Sequence, residues 1–275
     1  MRNKTGPDAV YVYTGEGEDA RRLYAFRSPG KPPPHGWPAL VFFHGGGWTS
    51  GEPSLLFRQA RYVAQRGFAA FCAQYRLIGA GAQTAADCVE DGRQALAWLY
   101  GRAQELEIDG TRIAVGGDSA GAHIALCLAT AGPEVPPTER PAAAVSCSGI
   151  PDVTGRWLDP VTGGRSGPEE DEPAWQRRYD AACALSPLYR IRPGQPPVLL
   201  LHGTADPVAF PGDAVRFARR YAAAGNPVQC RLLPGEGHAC ILFEYAADEE
   251  AVYAKMDEIL RFLTDNRRSE FNGNA

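Results

Sequence analysis

The strongest constraint on this chain is an alternation. Apolar runs of strand length, many β-branched or aromatic, are separated by segments of helical period. Such a pattern builds βα units and a mostly parallel sheet. The run Ala39–Phe43 is apolar throughout, as a central strand buried on both faces must be. Further strands are expected at Phe68–Ala73, Arg112–Val115, Ala142–Cys147, Val198–His202 and Val228–Leu233. Helices are expected at Phe57–Gln65, Thr84–Arg102, Ala120–Thr130, Asp213–Ala224 and about Ala246–Asn266. Val10–Tyr13 and Leu23–Phe26 read as a hairpin before a proline-rich loop, Pro29–Pro38. The 275 residues allow one large domain or two small ones, and a single domain over 1–275 is expected. After Ile150 the pattern stops, and an irregular insertion is expected at about 151–185, either a solvated excursion or a lid. The polar residues Arg267–Ala275 are expected to fray.

Charge and composition exclude several partner classes. With 28 basic and 32 acidic residues the net charge is −4, and the basic residues cluster no further than pairs such as Arg219-Arg220, which argues against nucleic acid. No run approaches the ~20 apolar residues of a membrane span, and Met1–Val12 lacks a signal-peptide core, so a cytoplasmic protein without membrane contact is expected. Seven cysteines lie scattered without a CxxC pair, as buried free thiols rather than disulfides or a zinc site. Glycine and proline, 31 and 23 residues, are abundant without a collagen period and imply many specialised turns.

Two glycine clusters stand at strand ends. Gly117-Asp118-Ser119-Ala120-Gly121 follows one expected strand and opens the next helix, the context that G-x-S-x-G requires. A serine on so sharp a turn needs neighbours without Cβ atoms, and the turn lifts its hydroxyl above the sheet at a helix N-terminus that favours negative charge. His44-Gly45-Gly46-Gly47-Trp48 follows Ala39–Phe43 and exposes bare backbone N–H groups. Those of Gly45 and Gly46, with that of Ala120 after the serine, are candidate oxyanion donors. A phosphate loop is disfavoured, because no Gly-Lys-Ser/Thr follows.

A serine nucleophile in this setting needs an acid and then a histidine later in the chain. Of five histidines only His238, in Pro234-Gly235-Glu236-Gly237-His238, follows every plausible acid. Asp206 in His202-Gly203-Thr204-Ala205-Asp206 lies past a strand end, on the crevice side of a parallel sheet. Asp213 competes for the role but reads as a first-turn helix acid, and Glu236 is too close in sequence to orient His238. His123 reads as a packed helix residue or part of a pocket floor. Trp48 and Tyr75 are candidates to line a substrate pocket, as are Trp157 and Trp175, and each fits ordinary packing as well.

At these residues the chain resembles the α/β-hydrolase superfamily, and within it esterases similar to hormone-sensitive lipase and to bacterial acetylxylan and feruloyl esterases. The likeness extends to Gln74-Tyr75-Arg76-Leu77, to Asp87–Leu99 and to Ser186-Pro187. It implies an α/β-hydrolase fold, a mostly parallel eight-stranded sheet flanked by helices with a small lid-like insertion. The segment before the first core strand is too short for a large helical cap, which favours the acetyl or feruloyl branch. The resemblance implies a Ser119, His238, Asp206 triad acting on a small-molecule ester with a short acyl group, without metal or cofactor. An arylformamidase, or a binding protein on the same fold, would share the architecture. Nothing in the sequence sets the oligomeric state.

Overall fold

In the computed structural model, which describes residues 6–164, 171–243 and 248–271, eight strands form one sheet. These are β1 (Ala9–Thr14), β2 (Arg21–Phe26), β3 (Trp37–Phe43), β4 (Ala69–Ala73), β7 (Ile108–Asp118), β8 (Ala144–Cys147), β9 (Val198–Gly203) and β10 (Val228–Leu233), while β5 (Leu77–Ile78) and β6 (Gly81–Ala82) pair apart from it. Their order is β1-β2-β4-β3-β7-β8-β9-β10. Strand β2 runs antiparallel to both its neighbours, and all pairings from β4 to β10 are parallel. Parallel neighbours need crossovers, and helices supply them: α1 (Phe57–Ala64), α2 (Ala85–Gly101), α3 (Ala120–Ala129) and α6 (Pro211–Ala223), while α7 (Glu249–Phe271) follows the last strand and packs back on the sheet.

The central strand shows why its whole run is apolar. Ala39, Val41 and Phe43 face a core shared with α2, α3 and α6, whereas Leu40 and Phe42 face a second core with α1 and α7. All five are essentially inaccessible. Removing such a side chain, as in Leu40→Ala, costs about 2–5 kcal/mol. Every residue of α3 is buried, between the sheet and α2, where a Cβ on Gly92 would stand 2.9 Å from Ile124. The segment Gln74-Tyr75-Arg76-Leu77 is pinned to α2 by Arg76, whose guanidinium forks onto the fully buried Asp91 at 2.8–3.1 Å.

Three expectations change. The segment expected to be irregular at 151–185 carries two helices, α4 (Leu158–Thr162) and α5 (Glu172–Leu185). Helix α5 buries only Ala182, so it has no apolar stripe for periodicity to detect. Its start was nonetheless signalled: Asp171 caps Ala174 N, and Pro173 stands in the first turn. Gly167-Pro168 and Glu169-Glu170 lie outside the described residues. Strand β7 is much longer than Arg112–Val115, because turn-like Asp109-Gly110 masked its first half. The last helix continues to Phe271, past the point where fraying was expected.

Candidate active site

Ser119 sits between β7 and α3 with φ 52 and ψ −116, a conformation that costs a residue with a side chain about 1–3 kcal/mol. The flanking glycines make it possible. A Cβ on Gly121 would lie 2.0 Å from the Phe43 carbonyl oxygen, and one on Gly117 would lie 2.4 Å from the Gly121 backbone. The Ser119 turn is thus pressed against the end of β3, where the triple-glycine loop begins. Gly45 adjoins it directly, since its Cβ position is 3.4 Å from the Ser119 Cβ. Among the described residues no hydrogen bond engages the N–H groups of Gly45, Gly46 or Ala120.

Four sheet-edge loops bring the polar groups together. His238, after β10, places Nε2 2.9 Å from Ser119 Oγ and Nδ1 2.8 Å from Asp206 Oδ2. Asp206, after β9, is fully buried at its carboxylate; its Oδ1 accepts the N–H groups of Val208 at 2.8 Å and Ala209 at 2.9 Å. The competing acid, Asp213, lies in the first turn of α6 and pairs with Arg216 at 3.2 Å instead. Glu236 pairs with Lys255. His202 was read from sequence only as a strand end, yet its Nε2 bonds the Ala209 carbonyl oxygen at 3.0 Å and lies 3.2 Å from Asp206 Oδ2.

Two residues expected to line the pocket stand behind it. Tyr75 is 3% exposed, stacks on the His44 ring at 4.3 Å and donates its hydroxyl to the His44 carbonyl at 2.8 Å. Trp48 is fully buried and donates Nε1–H to His123 Nδ1 at 3.3 Å. Packing on His44 and on His123 has taken both rings out of solvent reach. His123 Nε2 in turn donates to the Leu185 carbonyl at 2.9 Å, tying the end of α5 to α3. Burial lowers both His44 and His123 to about 4, so both rings are neutral near pH 7. Trp157 packs edge to face on Trp48 and reaches a cavity of ≈ 470 Å³ beside the acid loop, lined also by Asp152, Thr154, Arg156 and Phe210. Trp175 stacks on Tyr179 along α5, 40% exposed. Sequence reading also passed over Asp118, the second residue of the Gly117–Gly121 pentapeptide, which is 1% exposed. No group of three or more histidine, cysteine, aspartate or glutamate side chains among the described residues could hold a metal ion.

The BD-FAE family model matches residues 29–220, which include the triple-glycine loop, Ser119 and Asp206. The chain belongs to the BD-FAE family. Over 239 residues this BD-FAE protein is 30% identical to the ethyl acetate hydrolase of Pseudomonas putida, covering 79% of its own length and 70% of that enzyme's. It is 28% identical over 249 residues to esterase LipC of Mycobacterium tuberculosis, covering 84% of its own length and 59% of LipC. It spans only 30% of an AB hydrolase superfamily protein from Schizosaccharomyces pombe, at 38% identity over 107 residues. Among solved structures, esterase 2 of Thermogutta terrifontis phosphoramylated by tabun superposes with a TM-score of 0.80 at 28% identity, covering 94% of each chain. The propionate-bound form of the same esterase gives 0.78 at 29% identity, covering 95% of each. The BD-FAE protein has the α/β-hydrolase fold.

Proposed function

We propose that this protein is a serine carboxylic-ester hydrolase for short-acyl, acetyl-type esters, with Ser119, His238 and Asp206 as its triad. One observation carries the reading: a continuous hydrogen-bond chain from Asp206 Oδ2 through His238 to Ser119 Oγ, at 2.8 and 2.9 Å. Because the buried carboxylate accepts Nδ1–H, the lone pair of Nε2 faces the serine hydroxyl. Ser119 Oγ attacks the ester carbonyl carbon as its proton moves to Nε2. The oxyanion meets the N–H groups of Gly45, Gly46 and Ala120, each worth ~10²–10³ in rate. The alcohol leaves with the proton from Nε2. Water then gives a proton to Nε2, attacks the acyl carbon and frees the acid, restoring Ser119.

Support for short acyl groups comes from the relatives: one is an ethyl acetate hydrolase, and the Thermogutta esterase has been solved with propionate and with butyrate. The polar cavity beside the acid loop suits a polar alcohol such as an acetylated sugar, with Phe210, 70% exposed, at its edge. Free thiols at all seven cysteines suit a reducing compartment such as the cytoplasm.

A fluorophosphonate probe is expected to label Ser119, read by mass spectrometry, and Ser119→Ala to abolish labelling and turnover while the protein stays folded. A folded protein with Ser119 unlabelled overturns the assignment and favours a binding role. In a p-nitrophenyl ester series the optimum is expected between acetate and butyrate. An optimum at octanoate or longer overturns the short-acyl claim, and strong selectivity for N-formylkynurenine would make the protein a formamidase.

A further inference from the structure

We infer that Asp118 is held as a neutral carboxylic acid in the active protein, and that its ionisation closes the alkaline side of the activity profile by setting a negative charge against the oxyanion loop. The inference rests on the ester-hydrolase reading above for its second half only.

Asp118 is the last residue of β7 and precedes the nucleophile. Its Oδ1 is wholly buried and has no hydrogen-bond partner among the described residues. Its Oδ2 lies 3.1 Å from the position a Cβ would take on Gly45, so the carboxyl rests against the loop whose N–H groups receive the oxyanion. A buried carboxylate without a hydrogen bond or a cation is far costlier than the protonated acid.

The groups around it do not relieve that cost. From the acid loop it feels Asp206, a second negative charge. From the segment after β4 comes the Tyr75 phenol, from β8 the Cys147 thiol, and from the loop after β10 the Cys240 thiol, all raised chiefly by their own burial and further by Asp118. From the loop after β3, His44 is neutral. Lys255 on α7 touches the two thiols electrostatically, but its ammonium is paired with Glu236 at 2.5 Å. Burial first, and Asp206 second, push Asp118 up to about 8. Below that range the site carries one carboxylate, at Asp206. Above it a second lies beneath Gly45 and opposes the charge that develops on the substrate oxygen.

The test is Asp118→Asn, near-isosteric and uncharged at every pH. For p-nitrophenyl acetate, with spontaneous hydrolysis subtracted, kcat/KM of the unsubstituted protein is expected to fall about tenfold per pH unit above ~8, whereas the variant keeps its plateau to about pH 10. The carbonyl region of the infrared difference spectrum, unsubstituted minus variant, is expected to show a protonated-carboxyl band at about pH 6 that is gone by about pH 10. An unchanged alkaline limb in D118N overturns the activity half, and absence of the band at about pH 6 overturns the whole inference. If neither protein hydrolyses esters but the band appears and titrates, the esterase reading and the activity half fall while the neutral acid stands. Asp118→Ser, smaller and also neutral, provides the same comparison if the asparagine variant does not fold.

Discussion

Replacing Asp206 with asparagine tests the site through a tautomer. Two N–H groups, those of Val208 and Ala209, point at Oδ1 at 2.8 and 2.9 Å, so the amide of Asn must put its oxygen there. Its NH₂ is then forced into the Oδ2 position, 2.8 Å from His238 Nδ1 and 3.2 Å from His202 Nε2. An NH₂ can only donate to Nδ1, which moves the ring proton to Nε2, where the lone pair that takes the serine proton has to be. In the serine-protease triad this wrong tautomer lowers kcat by about 10⁴, equivalent to about 5.5 kcal/mol of transition-state stabilisation. The same NH₂ meets the N–H that His202 directs at the Ala209 carbonyl, and two facing donors cost about 1–3 kcal/mol of stability. Steady-state kinetics on p-nitrophenyl acetate should therefore show kcat down ~10⁴ with KM little changed, and calorimetry a Tm several degrees lower. Asp213→Asn, whose carboxylate pairs with Arg216, should stay within about twofold. Retention of more than about a tenth of the activity in D206N, or an equal loss in D213N, would refute the reasoning.

The glycines separate into kinds that mutation can distinguish. Gly121→Ala, with its Cβ 2.0 Å from a backbone oxygen, should prevent stable folding, whereas Gly237→Ala, in open space without a positive φ, should leave Tm almost unchanged by thermal melts. Trp48→Phe and His123→Phe remove the two ends of one buried hydrogen bond. In a double-mutant cycle on kcat/KM and on Tm they should show a coupling of about 0.5–3 kcal/mol, and losses that simply add would mean the contact does not support the loop. The pH dependence of Tm should have a maximum. His44 and His123 titrate near ~6.5 when unfolded and at about 4 when folded, so the unfolded chain binds more protons and stability falls as pH drops through that window. Asp118 acts in the opposite sense, since its folded value of about 8 exceeds the ordinary ~3.9, and its contribution is lost as pH rises through about 8. Two histidines outweigh one aspartate below ~6.5, so Tm should rise to about that pH and then decline, and D118N should lack the part of the decline between ~6.5 and about 8, the fall above that belonging to the buried thiols. A Tm of the unsubstituted protein that keeps rising beyond pH ~8 would contradict it.

Much of the architecture was legible because burial on both faces leaves a signature that no polar residue can interrupt. Ala39–Phe43 needed to be apolar at every position, and the mostly parallel pairing follows from strands joined by helices, whereas the order β1-β2-β4-β3-β7-β8-β9-β10 appears only in the structure. Helix α5 was not legible, because a helix that buries one alanine has no periodicity to read, although its proline and Asp171 cap were present in the sequence. Ser119 was readable because its strained backbone demands glycines at fixed distances, and His238 because chain order left one histidine. Asp206 could be preferred to Asp213 from its place after a strand.

The chain itself therefore determined which residue types stand at each sheet end, since local backbone strain and two-sided burial act over a few residues and are written in them. Only the tertiary structure decided what those residues touch. Tyr75 and Trp48 were candidates for the pocket and are buried instead, because one ring stacks on His44 and the other packs against His123 and Trp157. His202 and Asp118 carried no mark of their surroundings, since the close approach of His202 to Asp206 and an unpartnered oxygen under Gly45 exist only when loops meet at one edge of the sheet.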